Sequence, residues 1–310
     1  MDGIINLNKE KGCSSHDCVA AVRRLLDIRK AGHTGTLDPM AEGVLPVCVG
    51  RATRIMEYLD CDIKKYRCRM ILGTETDTQD IWGNVTERKS PEGVTEAQIK
   101  DVLFSFIGEI SQIPPIYSAL KVRGRRLYKY ARAGQEVEIK PRKIRVTGMT
   151  LDFAEGNEAG FTVECSRGTY VRTICYDAGR MLGCGAAMSA LTRLASGIFR
   201  IEDSVTLREL EAMDTQKRES AVLPVDFPLT HFGRIILEKD KARDFVNGKA
   251  LNADEITPDD ISGSSSGTQD GMTELYNIYF GKEFLGVGEL KSGIIKADKV
   301  FNTRMQNEDL

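Results

Sequence analysis

"FTVECSRGTYVRTICYDAGRML", residues 161–182, changes its period halfway along. Apolar and polar residues alternate as far as Ser166, the mark of a strand with one buried face. Beyond a tight turn at Gly168 the spacing becomes helical. A strand feeding directly into a helix points to an α+β fold, and the flanking sequence agrees. "KYRCRMILG" (65–73) alternates like a second strand, and Gly3–Leu7 reads as a short one. Ser14 or Ser15 caps a helix from His16 to about Leu26, with Val19, Val22, Leu25 and Leu26 on one face. Thr95 caps another helix as far as Ile107, striped by Ile99, Val102, Leu103 and Phe106. Ala52–Leu59 reads as a short helix, and "TETDTQDIWGNV" (74–85) as a polar excursion, a hairpin loop.

Hydrophobic residues make up 41% of the 310 and charged residues 28%, proportions of an ordinary globular chain. No apolar run approaches membrane-spanning length, and the first residues, "MDGIINLNKEKG", lack the basic and apolar regions of a signal peptide. The eight cysteines are scattered and form no CxxC pair, which argues against a zinc site or a disulfide scaffold. A cytoplasmic chain with reduced thiols is expected.

The net charge of −2 conceals a sharp local contrast. "KVRGRRLYKYARAGQEVEIKPRKIR" (121–145) holds ten Lys/Arg against two Glu, a net +8, so the other 285 residues sum to −10. Such a run is often only a solvated helix face. Here Tyr128 and Tyr130 lie among the cations and offer stacking beside phosphate attraction, as a nucleic-acid contact does. A proline-spaced linker, "VLPVDFPLTHF" (222–232), then leads to short β-like runs ("RIILE", "TELYNIYF", "EFLGVGEL") around a Ser/Gly/Asp-rich loop at 258–271. That pattern suggests a small β-rich terminal domain with a mobile loop.

The stretch "AGHTGTLDPMAEGVLPV" (31–47) sets Asp38 before a proline and among glycines. Proline pushes the preceding residue into extended geometry, and glycines permit close backbone approach. The carboxylate is therefore either a fixed functional group or the ordinary capping residue of a turn. No GK[ST] follows, which argues against a triphosphate loop, and there is no HExxH and no Ser-His-Asp order. Glu42 is a nearby carboxylate that could pair with Asp38.

Four stretches together resemble one family. "AGHTGTLDPMAEGVLPVCVGRATR", "KYRCRMILGTETDTQD", "IPPIYSALKVRGRRLYKYARAG" and "CSRGTYVRTICYDAG" are similar, in order, to the motifs of the TruB tRNA pseudouridine-55 synthases. The likeness spans most of residues 3–230. It implies a pseudouridine synthase fold, with a mixed, largely antiparallel sheet flanked by helices and a basic insertion. It places the catalytic domain at 1–230, its RNA-clamping segment at about 104–145, and a PUA-like RNA-binding domain at 231–310. It implies conversion of one T-loop uridine of tRNA to pseudouridine, with no cofactor and no metal. Asp38 is then the nucleophile and Arg172 the cation that keeps it ionised and oriented. Tyr66 stacks on the base and is the favoured acceptor of the carbon-5 proton, although a phenol is a poor base unless its site perturbs it. His33, Tyr170, Leu191 and Lys9 are substrate contacts. Lys121, Arg123, Arg125, Arg126, Lys129 and Arg142 contact the RNA backbone of the T-arm, and the tail contacts the acceptor end. One departure stands out: the family's Lys-Pro-x-Gly motif reads Lys9-Glu10-Lys11-Gly12 here.

Two rivals share these features. A guide-dependent synthase of the dyskerin type carries the same aspartate motif, but the basic insertion and the absence of long Lys-rich tails favour a stand-alone enzyme, expected as a monomer. A non-catalytic tRNA-binding or tRNA-folding module is the other.

Overall fold

The computed structural model describes residues 1–59, 63–257, 261–262 and 274–301. β1 (Gly3–Lys9) is buried along almost its whole length. It is followed by α1 (Ser15–Leu25), which starts where Ser14 and Asp17 form a reciprocal capping box. β2 (Ala31–His33) and β3 (Glu42–Val49) bracket the loop that carries Asp38. Residues 50–55 form a short 3-10 helix in place of the helix expected at 52–59; the Thr53 hydroxyl donates to the Gly50 carbonyl within it.

β4 (Ile63–Leu72) enters the main sheet. β5 (Thr74–Thr76) and β6 (Val85–Arg88) form a separate hairpin, so residues 77–84 are its loop, as the polar excursion suggested. α2 (Glu96–Phe104) is capped by Thr95 and stops three residues short of the expected end. After β7 (Gly108–Gln112) the basic segment folds as a small hairpin, β8 (Lys121–Val122) and β9 (Arg125–Arg126), with a short α3 (Leu127–Arg132). Next come β10 (Arg142–Glu155), β11 (Glu158–Ser166) and α4 (Val171–Met181), the strand–turn–helix unit read from residues 161–182. β12 (Ala186–Ser196), β13 (Phe199–Arg200), β14 (Val205–Thr206), α5 (Leu207–Ala212) and α6 (Thr215–Ser220) follow.

The main sheet runs β14-β1-β3-β12-β4-β11-β10-β7, with β13 on β12 and β2 on β3. β1 with β14 and β12 with β3 are parallel; the other pairs are antiparallel. It is the mixed, largely antiparallel sheet that the sequence led us to expect. Cys18 and Val22 of α1, Ile99 and Leu103 of α2, and Ile174 and Cys175 of α4 close one core with it. At the centre, β12 lies on β4 with Leu191 opposite Cys68 and Arg193 opposite Tyr66. β3 brings Gly43 against Arg193 from the other side. Gly43 has φ +102°, and a Cβ there would sit 2.3 Å from the Arg193 carbonyl oxygen, so only glycine fits.

The tail forms a second sheet from β15 (Gly233–Ile236), β16 (Leu251–Asn252), β17 (Ile261–Ser262), β18 (Glu274–Phe280), β19 (Glu283–Lys291) and β20 (Ile294–Val300). Its order is β16-β20-β19-β18-β15-β17, and α7 (Lys239–Val246) buries Phe245 and Val246 against it. Leu229, Val287 and Phe301 share one apolar cluster with Ile4, Val44, Cys48 and Ile55, which seats this β-rich unit on the main sheet. The loop expected at 258–271 lies, apart from 261–262, outside the described residues.

Candidate active site

Asp38 opens a four-residue turn. Its carbonyl accepts the Ala41 N–H (3.0 Å), and Pro39 supplies the fixed φ that the second position favours. The backbone of Asp38 is thus spent on the turn while its carboxylate is left to face the site. The residues on either side are pinned. Leu37 donates its N–H to the Ser15 hydroxyl (2.9 Å), and its carbonyl accepts from the same hydroxyl (3.1 Å). The Pro39 carbonyl accepts from Gly12 N–H (2.9 Å) and from the Lys9 ammonium (3.0 Å). Lys9 also donates to the carbonyls of Ala41 (2.6 Å) and Glu10 (3.0 Å).

Lys9, expected as a substrate contact, is fully buried, and its ammonium donates to three backbone carbonyls around the Asp38 loop. Burial pushes its pKa down.

α4 starts opposite this loop. Tyr170 is its N-cap residue and has no side-chain cap bond. Instead Gln112, the last residue of β7, accepts from the Tyr170 N–H (2.9 Å) and donates to its carbonyl (3.1 Å). Two residues on, Arg172 is only 6% exposed, so it is not a surface cation at a helix start. Its Nη2 lies 3.5 Å from Asp38 Oδ1 and donates to the Tyr117 carbonyl (2.7 Å). Its Nη1 lies 3.6 Å from Asp80 Oδ2. One buried guanidinium thus faces two carboxylates at ion-pair distance. The other oxygen of Asp80 accepts from the Thr78 hydroxyl (2.7 Å) and the Trp82 N–H (3.1 Å), which fixes that carboxylate. Glu42 does not join Asp38. It accepts from the Thr192 hydroxyl (3.0 Å) and approaches Lys11.

Asp38, Tyr66, Tyr170, Arg172 and Leu191 line one cleft of about 250 Å³, whose wall also includes Lys64, the 118–119 segment and the backbone on either side of these residues. Beneath Tyr66 lies Arg193, fully buried, which donates to the carbonyls of Val44 (2.6 Å) and Gly35 (3.1 Å). Burial pushes the Tyr66 phenol up, and the charge of nearby Arg193 pulls the other way. His33 closes β2 outside the cleft lining, its ring edge-on to His16 at 6.2 Å. Burial pushes its pKa down, and the charges of His16 and Arg193 act in the same direction.

In the basic segment Lys121, Arg123, Arg126, Lys129 and Arg142 are exposed. Arg125 is committed internally: it donates to Gln135 (2.8 Å) and the Lys129 carbonyl (2.9 Å), and lies over the Tyr130 ring. Arg132 lies over Tyr128. The tyrosines read as stacking groups thus already hold the segment's own cations.

Asp80, Gln112 and Arg193 were absent from the sequence reading. Arg193 left a signal, a charge within the apolar strand "SALTRLAS". Asp80 left none, being one of two aspartates in a polar loop, and Gln112 depends on a partner 58 residues away. Among the described residues no three His, Cys, Asp or Glu side chains are grouped to hold a metal, and no helix is long and apolar enough to cross a membrane.

Comparison with known proteins places this site in context. Residues 23–171 match the family model of the "TruB family pseudouridylate synthase (N terminal domain)", and residues 172–230 that of the "tRNA pseudouridylate synthase B C-terminal domain". The chain is 39% identical over 292 residues to the tRNA pseudouridine synthase B of Alkaliphilus oremlandii, covering 94% of each chain. It is 41% identical to that of Clostridium kluyveri, covering 97% of this chain and all of the other. Among solved structures, an H/ACA RNP bound to a substrate RNA containing 2'-deoxyuridine superposes with a TM-score of 0.72 at 27% identity, covering 97% of this chain and 86% of that one.

Proposed function

The chain belongs to the TruB family of pseudouridylate synthases, and we propose that it converts uridine 55 in the T-loop of tRNA to pseudouridine with Asp38 as its nucleophile. The observation that carries this reading is the Asp38–Arg172 pair at the cleft wall, with Tyr66, Tyr170 and Leu191 around it. A uridine inside an RNA loop must be extruded to react, at a cost of about a few kcal/mol offset by stacking and edge contacts in a pocket. Two tyrosines and a leucine supply that apolar grip. In the reaction the bond from N1 to the ribose breaks, the uracil turns, and a bond from carbon 5 to the same ribose carbon forms. The carbon-5 proton is lost and N1 gains one, so no redox partner is required. A fixed carboxylate beside the nucleoside divides this into easier steps. Arg172 holds that carboxylate in place, and Asp80 and the Tyr117 carbonyl hold Arg172.

Tyr66 serves as a stacking platform, since its raised pKa makes the phenol a reluctant base. The exposed cations of residues 121–145 grip the T-arm phosphates. The β-rich tail, read as a PUA-like domain at 231–310, meets the acceptor end. A single chain suffices, as a monomer and without guide RNA. The relatives named tRNA pseudouridine synthase B reach 37–46% identity, against 27% for the H/ACA ribonucleoprotein structure, and support that choice.

The test is Asp38→Asn assayed with tRNA carrying 5-tritiated uridine and no other macromolecule. Wild type releases tritium from position 55 alone. The variant binds tRNA and releases none; tritium release by the variant refutes the assignment, and failure of wild type without added RNA favours the guided reading.

A further inference from the structure

The residue before a helix cap and the fourth residue inside the helix commonly form an apolar staple. In α1 these positions are Cys13 and Cys18, and their sulfurs stand 3.4 Å apart. We propose that this pair is a reversible dithiol/disulfide site whose oxidation slows the enzyme by shifting the support of the Asp38 loop.

Access fits the proposal. Among the described residues Cys13 is the one cysteine that is not buried, while Cys18 is fully buried. Cys13 is thus the sulfur that meets an oxidant and Cys18 the one that closes the bond; burial pushes the Cys18 thiol up to about 12, which leaves the first attack on the oxidant to Cys13. A peroxide supplies the oxidant. The Cys13 thiolate attacks it, the oxygen–oxygen bond breaks, hydroxide leaves, and Cys13 becomes a sulfenic acid. The Cys18 sulfur then displaces that hydroxyl, which departs as water with the Cys18 proton, and the sulfur–sulfur bond forms. One peroxide is reduced to two waters, and a small thiol restores the pair by exchange.

The consequence follows from what the neighbouring residues hold. A disulfide needs its sulfurs about 2.05 Å apart, so they must close by about 1.4 Å. Cys18 is locked in the core, and the movement falls on residues 10–13. The Cys13 thiol gives up its bond to the Glu10 carbonyl (3.3 Å), which Lys9 shares, and Gly12 is the residue that donates to Pro39. The displaced segment is therefore the one that braces the turn behind Asp38. Formation of the crosslink does not depend on the proposed function; its effect on turnover does.

The experiment treats the whole protein with hydrogen peroxide and follows two readouts. Both cysteines lie in one tryptic peptide, residues 12–23. Its conversion to a form two hydrogens lighter and closed to alkylation, reversed by dithiothreitol, reports the disulfide. In parallel, turnover on tRNA falls about tenfold and recovers with the reductant, whereas Cys13→Ser keeps its rate under peroxide. A peptide that stays open to alkylation at both sulfurs refutes the site. A complete crosslink with unchanged turnover refutes the switch, and equal inactivation of Cys13→Ser assigns the loss to another residue and also overturns it.

Discussion

Lys9→Met removes the buried ammonium and keeps most of its volume, and it separates a structural from a substrate-binding lysine. Three carbonyls lose a donor. Two retain another, since Gly12 N–H remains on the Pro39 carbonyl and the Cys13 thiol on that of Glu10. The Ala41 carbonyl, bonded to Lys9 at 2.6 Å, is left without that charged partner. An orphaned buried carbonyl costs about 1–3 kcal/mol, and each charged bond lost from the other two about 1.5–3 kcal/mol. Relief from burying an ammonium, whose cost is visible in its lowered pKa, returns part of this. We expect a net loss of about 2–4 kcal/mol in urea unfolding. The affected carbonyls flank Asp38, so single-turnover pseudouridine formation, measured below the unfolding transition, falls about 100-fold. Filter-binding affinity for tRNA stays within about twofold, because the ammonium reaches no surface. Full turnover by folded Lys9→Met refutes the bracing role, and weakened tRNA binding at normal single-turnover rate restores the substrate-contact reading.

Asp80→Asn takes away one of the two carboxylates facing Arg172 and frees the guanidinium to shift; turnover falls about 10–100-fold with tRNA affinity retained, and an unchanged rate shows that Asp38 and the Tyr117 carbonyl hold the arginine without it. Replacing Arg123, Arg126, Lys129 and Arg142 together by Gln lowers the slope of log affinity against log salt by about 3, at roughly 0.7–0.9 per phosphate contact; an unchanged slope returns the segment to a solvated surface. His33 has a folded pKa below its unfolded value of 6.5, so the unfolded chain takes up the proton first as pH falls through 6.5. Stability is lost from there down to the folded pKa, and His33→Gln flattens that part of a pH series of urea midpoints; a parallel curve refutes the burial argument.

The features legible in the sequence were those with local causes. Ser14, one of the two serines offered as a cap, announces α1, and the period change at Gly168 announces β11 and α4. The 52–59 helix failed for a local reason too, since Gly50 at φ +61° starts a short 3-10 helix and the segment does not continue as α-helix. The site itself is a different matter. Arg172 meets Asp38 and Asp80 only because sheet order brings α4, the loop after β2 and the β5–β6 loop to one place. No period or spacing encodes such a meeting; likeness to a family found two of its three members, and Asp80 came from the fold alone.

Asp38 also shows why its two rival readings could not be separated by spacing. A turn residue and a nucleophile make demands on different atoms. The Asp-Pro turn uses the carbonyl of Asp38 and the ring of Pro39, while the carboxylate points to Arg172. Under the proposed function, the turn is what makes the Asp38 carboxylate precise in position, because a side chain on a mobile loop loses much of the rate gained from orientation. Ser15, Gly12 and Lys9 then tie the turn to α1 and β1. It follows that changes to residues that never approach the nucleoside, Ser15 and Gly12 among them, act on turnover before they act on binding. The Glu10 in place of the family's proline belongs to this group: its carbonyl, not its side chain, is the part the brace uses. The substitution therefore leaves the hydrogen bonds that hold Asp38 intact.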